Sequence, residues 1–312
     1  MNCLSINIRG IGIDGKSRWI KRLKNEFGIS FIGMQETMAS NLHSGLMTNF
    51  WGGMGYDCEI VDANGHSGGI VSCWDPKIYV KDYVLKDNNF LHVSGLLVDG
   101  LVRLNIINVY APQQNVEKRI LWEKILRVKQ ARQGWWIIFG EFNAVRDSSE
   151  RKNSNFDPVC ARDFNDFIDE AGLQEYNLKG MKYTYLTNRG GDCKMSRIDR
   201  ILVCSNVFNK WPNAYVRALK RELSDHSPIE TNFGSKPFRW FDSWFERQGC
   251  EDLVISVLRE NIVQGPSDVG LSMKLKCLRD RLKIWHKSWK SKEMEDEVRL
   301  RSENEELETL ME

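Results

Sequence analysis

The chain has 312 residues, more than one ordinary domain needs and enough for a domain with an appendage. Its formal net charge of +2 sets up no global field for nucleic acid, so any such case must rest on local patches. The eight cysteines form no CxxC pair, which argues against a zinc site or a disulfide framework and predicts reduced thiols with no disulfide-linked partner.

The opening "MNCLSINIRG" has no charged n-region followed by an apolar segment, and no run approaches a membrane span. An intracellular chain is expected, neither secreted nor membrane-bound. A strand candidate, "CLSINI", ends at Asn7. "KSRWIKRLKNEF" follows with Trp19, Ile20, Leu23 and Phe27 at helical spacing. "ISFIGM" leads to Glu36 in "QET", and "GGIVSCW" reads as the next strand. "LVRLNIINVYA" carries Asn108 and Tyr110 at its end. The helix candidate "VEKRILWEKILRVKQ" places Ile120, Leu121, the Lys124 stem, Ile125 and Val128 on one face. The apolar run "WWIIFG" delivers Glu141 and Asn143, and "ARDFNDFIDEAGL" is helical with Phe164, Phe167, Ile168 and Leu173. "SRIDRILV" presents Asp199, and "LSDHSPI" presents Asp225 and His226 before a last apolar turn. Strands mixed with helices, many too close for crossover connections, predict an α+β sandwich of mixed sheets over residues 1–234.

The pattern then changes. Residues 235–250 are rich in aromatics and read as a connector. Residues 251–312 read as a helical extension, in which Leu271, Leu275, Leu278, Leu282, Trp285 and Trp289 form a short heptad-like seam. A seam of that length predicts a helix packed on its own chain. Charge is split along this tail, basic from Lys274 to Lys292 and mainly acidic from Glu293 to Glu312.

Each polar residue at a strand end has an ordinary explanation as a turn or cap residue. Together they make a different set: four carboxylates (Glu36, Glu141, Asp199, Asp225), carboxamides, one phenol and one imidazole. If strands of two sheets end at one rim, these groups converge. Carboxylates with Asn, and no cysteine cluster, suit a hard cation such as Mg²⁺ or Mn²⁺. Such a cation clamps phosphate, Asn and Tyr donate to phosphoryl oxygens, and a His paired with Asp is held charged. The chemistry points to phosphoester hydrolysis.

In this order, "NIRGIG", "MQET", "HSGGI", "NVYAP", "GEFNAV", "MSRIDRILV" and "LSDHSPI" resemble the endonuclease/exonuclease/phosphatase, or DNase I-like, superfamily. With "KPFRWFDSW" after them, they look more specifically like the endonuclease region of plant LINE-type retrotransposon proteins. The resemblance implies a four-layer α/β/β/α sandwich with a C-terminal helical extension, a Mg²⁺ (or Mn²⁺) cofactor and a DNA substrate, in the nucleus if that DNA is chromosomal. It implies that Glu36 binds the metal, with Asn7 supporting that end and Asp225 near it. Tyr110 would contact the scissile phosphate, Asn143 would orient water or phosphate, and His226 would stabilise the phosphorane. Asp199 would hold His226 or join the acidic cluster. Asn108 and Thr184 would lie on the phosphate-binding rim, with Ser224 bracing the last loop. Nothing in the motifs sets an oligomeric state.

Three positions depart from the pattern. Glu141 stands where the family usually has Asp, Gln113 where repair enzymes often have Asn, and Arg9 where some relatives have an acid. Glutamate keeps the charge but adds one methylene, and a displacement of about an ångström can cost about a hundredfold in rate. An active but weakened endonuclease, a silent nucleic-acid-binding relic of a retroelement and a phosphatase of the same fold all stay open at this point.

Overall fold

Side-chain alternation decides how the first unit is layered. The computed structural model describes residues 1–12, 15–65, 67–98, 102–188, 193–233, 244–260 and 267–311. It divides into two compact units, Met1–Ser235 and Lys236–Glu312. Most of the aromatic connector expected over 235–250 lies outside the described residues.

In chain order the first unit runs β1 (Asn2–Asn7), α1 (Lys16–Phe27), β2 (Ile29–Gln35), α2 (Met47–Trp51), β3 (Asp57–Asn64), β4 (Ser67–Trp74), β5 (Tyr79–Asp87), β6 (Phe90–Leu97) and β7 (Arg103–Tyr110). It continues with α3 (Asn115–Gln130), β8 (Trp135–Glu141), β9 (Arg151–Lys152), α4 (Pro158–Glu170), β10 (Leu173–Glu175), β11 (Leu178–Gly180), β12 (Tyr185–Thr187) and β13 (Lys194–Ser196). The last elements are β14 (Asp199–Cys204), α5 (Ser205–Lys210), β15 (Tyr215–Ala218) and β16 (Ile229–Asn232).

One sheet has the order β11-β15-β16-β1-β2-β4-β3, the other β10-β14-β8-β7-β6-β5, and a small sheet is β12-β13-β9. Both large sheets are mixed: β1–β2 and β7–β8 are parallel, most other neighbours antiparallel. In β1, Leu4 and Ile6 pack with Trp19, Ile20 and Leu23 of α1, while Cys3 packs with Phe31 and Phe139 between the sheets. On the far side of the second sheet, Trp122 of α3 stacks on Phe167 of α4 at 4.8 Å and contacts Phe164 and Phe142. Helices, two sheets and helices give the four-layer α+β sandwich, and strand faces follow the period of two.

α3 buries Lys118, Leu121, Trp122 and Ile125. The face expected from the sequence is therefore rotated: Ile120 is 51% exposed, and Lys124 reaches out to Asp87 at 2.8 Å. The aromatic cluster needs Trp122, and its neighbours on the helix follow it inward. Gly140 is obligatory. A Cβ on Gly140 (φ 138°) would meet the Val109 carbonyl oxygen at 2.0 Å, so β7 and β8 can pair here only without a side chain.

The second unit holds α6 (Cys250–Glu260) and α7 (Ser267–Met311). Leu278, Leu282 and Trp285 of the seam pack with Trp244, Cys250, Leu253 and Val254 of their own chain. Among the described residues, no helix is long and apolar enough to cross a membrane, and all eight cysteines are free.

Candidate active site

Registry brings the polar strand ends together. Tyr110 pairs with Glu141 across β7–β8, and Glu141 with Asp199 across β8–β14. Phe139, two residues before Glu141, points between the sheets onto Phe31. By the strand period, Glu141, Tyr110 and Asp199 share that inward face, and Asn7, in phase with Cys3, faces them from β1. The sheets supply the site from both sides, at one rim.

The centre is a chain of buried polar groups. His226 Nδ1 lies 2.9 Å and 3.1 Å from the two carboxylate oxygens of Asp199. Its Nε2 faces Glu141 Oε2 at 3.9 Å, too long for a hydrogen bond. Asn7 Nδ2 donates to Glu141 Oε2, and the Asn7 Oδ1 accepts from the Arg9 backbone N–H at 3.0 Å. All four groups are nearly sealed from solvent.

Burial sets the electrostatics here. It would lower the His226 imidazole, but Asp199 and then Glu141 outweigh it and hold His226 at about 9. Burial pushes the Glu141 carboxyl up to about 7; His226 and the Asn7 amide oppose this, and Asp199 and Glu36 add to it. The Tyr110 phenol is raised by burial, then by Glu36 and Glu141, so it stays a hydrogen-bond donor.

Around this centre the backbone is unusual. Glu36, Asn143 and Arg9 adopt left-handed conformations, with φ of 55°, 49° and 49°. Asn143 is locked between the Ala111 carbonyl, to which its Nδ2 donates at 2.7 Å, and Gln113, which donates to its Oδ1 at 2.9 Å. Glu36 is half-buried, and its charge helps to raise the Tyr110 phenol. Asp225 pairs with Arg9 through Oδ2, while its buried Oδ1 has no hydrogen-bond partner among the described residues. Ser224 donates to the Asn7 carbonyl at 2.8 Å and accepts the His226 N–H at 3.1 Å, tying the last loop to β1.

Two residues expected on the phosphate rim have their polar groups engaged by the protein itself. Asn108 is fully buried one strand step deeper than Tyr110. It accepts from Gln35 Nε2 at 2.5 Å and donates to the Val71 carbonyl at 3.0 Å, so its amide braces the two sheets. Thr184 is also fully buried, and its hydroxyl accepts the Ile198 and Asp199 N–H groups at 3.1 Å. It positions the strand that carries Asp199.

Two charged groups escaped the sequence reading. Lys16 is 1% exposed, and its ammonium donates to the carbonyls of Ile8 at 2.5 Å, Arg9 at 2.9 Å and Gly10 at 2.9 Å. All three of its donors are used to shape the turn after Asn7. Arg200, also buried, donates to Glu150 and, at 2.8 Å, to Glu175, which Arg197 and Arg146 also join. This network fixes the start of β14. In "SRIDR", Arg200 belongs to a strand whose residues are all buried, so its charge must be met inside the protein.

Glu141, Asp199 and His226 each offer a ligand atom within 4.8 Å of the others, close enough to hold a metal ion by spacing alone. The chemistry of the donors argues otherwise for the imidazole. A His held on Asp199 and kept protonated to about 9 must give up a proton before its Nε2 can bind a metal. The oxygen donors beside it, the half-buried Glu36 carboxylate and the orphaned Asp225 Oδ1, fit a hard cation better.

Residues 4–226 match the family model described as Endonuclease/Exonuclease/phosphatase family. The chain belongs to this family. Its fold is similar to that of the 3'-5' exonuclease NExo from Neisseria meningitidis, with a TM-score of 0.59 and 18% identity over 75% of this chain and 99% of that one. It is also similar to an AP endonuclease from Archaeoglobus fulgidus (TM-score 0.59, 17% identity, 75% of this chain and all 100% of that one). The endonuclease domain of TRAS1, a telomere-specific non-LTR retrotransposon, superposes with a TM-score of 0.53 at 18% identity over 74% of this chain and 97% of that one. In sequence, 139 residues are 26% identical to the transposon TX1 uncharacterized 149 kDa protein of Xenopus laevis. That stretch is 43% of this chain and 10% of the TX1 protein. At these identities the structures establish the fold, and the family places the chain among nuclease- and phosphatase-type hydrolases.

Proposed function

We propose that this chain is a divalent-metal-dependent DNA endonuclease of retrotransposon origin, slowed by the glutamate at position 141. The observation that carries the reading is the buried His226–Asp199 pair facing Glu141 at the rim where both sheets end. Glu36, with Asp225 and Asn7 beside it, would hold Mg²⁺ or Mn²⁺, which when bound neutralises charge on a phosphate oxygen.

The chain's own residues do the rest. Asp199 keeps the imidazolium aimed, and the Nε2–H of His226 donates to a phosphate oxygen as negative charge builds on it. Tyr110, protonated, donates to the same phosphate group. Asn143 orients the attacking water with an amide fixed by Ala111 and Gln113. Glu141 is the base that would take the water's proton, and its raised carboxyl is matched to that task near neutral pH.

The burial of Glu141 also sustains a second reading. At 4% exposure its carboxylate is nearly sealed from solvent and already engaged by the Asn7 amide, as a silent nucleic-acid-binding relic would show. Incubating supercoiled plasmid with wild type, His226→Ala and Glu36→Gln in Mg²⁺ and Mn²⁺, beside DNA retention at rising salt, separates the two. The endonuclease reading expects nicking by wild type alone. Retention that weakens with salt, with no nicked product from any form, supports the silent reading.

A further inference from the structure

We propose that α7 is a self-association element, through which two copies of this chain pair antiparallel with the basic half of each helix on the acidic half of the other. Residues 274–292 carry eight Lys or Arg and one Asp; residues 293–312 carry nine Asp or Glu and two Arg. The two halves are close to equal and opposite in charge.

The structure decides how that complementarity can be used. Ser267–Met311 is one continuous helix of 45 residues, about 67 Å long at 1.5 Å per residue. A continuous helix holds its halves end to end, so they cannot meet within one chain. A parallel partner would set like charge on like. An antiparallel second copy, related by a two-fold axis near the junction of Lys292 and Glu293, matches both halves at once and closes on itself.

Like charges also stand close together within each half. Lys283 and Lys287, like Glu293 and Glu297, are like charges four residues apart, a spacing that destabilises an isolated helix. α6 packs against the face of Leu278, Leu282 and Trp285, and its Leu258 carbonyl accepts from Lys274 at 3.5 Å. Leu271 and Leu275, on successive turns of the basic half, remain 59% and 54% exposed. The basic half taken alone would suit a nucleic acid, but the acidic half held in line with it repels phosphate. The charge pattern therefore favours a second copy. This inference is independent of the nuclease reading.

The test is sedimentation equilibrium of the full chain at low and high NaCl, with two charge reversals checked for helix content by circular dichroism. One reversal is Lys276→Glu, Lys283→Glu and Lys287→Glu; the other is Glu305→Lys, Glu306→Lys and Glu308→Lys. Wild type is expected to be a dimer whose dissociation constant rises at least about tenfold at high salt. Each reversal alone should be monomeric, and the equimolar mixture should regain the dimer. A wild type that stays monomeric, reversals that dimerise unchanged, or a monomer whose basic half instead retains DNA would overturn the proposal.

Discussion

His226 rests its Nδ1 on both carboxylate oxygens of Asp199, at 2.9 Å and 3.1 Å, in a place where burial alone would strip the imidazole of its proton. Asp199 decides the charge state of this histidine. In Asp199→Asn, the burial penalty meets only the more distant Glu141 and Glu36. The titration of His226 followed by NMR should fall from about 9 to near or below the ordinary 6.5. A His226 that still titrates near 9 in that variant would show that another group holds the proton.

The same pair makes stability depend on pH, with a definite sign. The folded value for His226 lies above the unfolded one, so its contribution is complete below about pH 6.5 and is lost as pH rises through about 9. A raised imidazole of this size is worth about 3 kcal/mol. Chemical denaturation should show wild type losing stability across that window, while Asp199→Asn stays flatter across it. Equal slopes for the two proteins would remove His226 from the account.

Glu230 offers a separate test in the first sheet. It is fully buried on β16, and neither carboxylate oxygen has a hydrogen-bond partner among the described residues; Arg217 Nε is 3.6 Å away. Burial lifts its carboxyl to about 7 despite Arg217. Its folded value is raised too, so stability falls as pH climbs from about 4.5 through 7. Glu230→Gln should raise the melting temperature at pH 8, by the equivalent of about 1–3 kcal/mol, and change little at pH 5. A destabilised variant at pH 8 would mean that the Arg217 contact outweighs desolvation.

Lys16 should prove costly to remove. Lys16→Met leaves three carbonyls at the turn after Asn7 without their donor. A loss of about 2–4 kcal/mol is expected. Hydrogen exchange should quicken at Gly10 and Ile11, whose N–H groups bond the Glu36 and Thr37 carbonyls. Unchanged exchange at those amides would show that the turn is held by β1 and β2 alone.

The α+β class was legible in the sequence because short apolar strand runs stand between segments with helical spacing, while the four layers followed from the resemblance that the ordered motifs carry. Depth was not. Asn108 and Tyr110 stand in one motif, yet one strand step separates a brace between sheets from a group at the rim. Thr184 looks like any rim threonine until its hydroxyl is seen to hold two N–H groups of the Asp199 strand. Lys16 and Arg200 were missed because charge reads as surface, and only tertiary structure shows the carbonyls and carboxylates that make their burial tolerable. Strands β3, β5 and β6 escaped notice because polar residues interrupt their apolar runs; β3 and β5 are also edge strands, and much of each is half-exposed. The face of α3 was misjudged because Trp122 turns it toward Phe164 and Phe167.

The central claim is that the His226 site cleaves phosphodiesters and that the extra methylene of Glu141 limits it. The most direct measurement is the single-turnover nicking rate of supercoiled plasmid by wild type, Glu141→Asp and the double variant Glu141→Asp with His226→Ala. Glu141→Asp should nick about tenfold to a hundredfold faster than wild type. The double variant should lose the activity. A double variant that nicks as fast as Glu141→Asp would contradict the central claim.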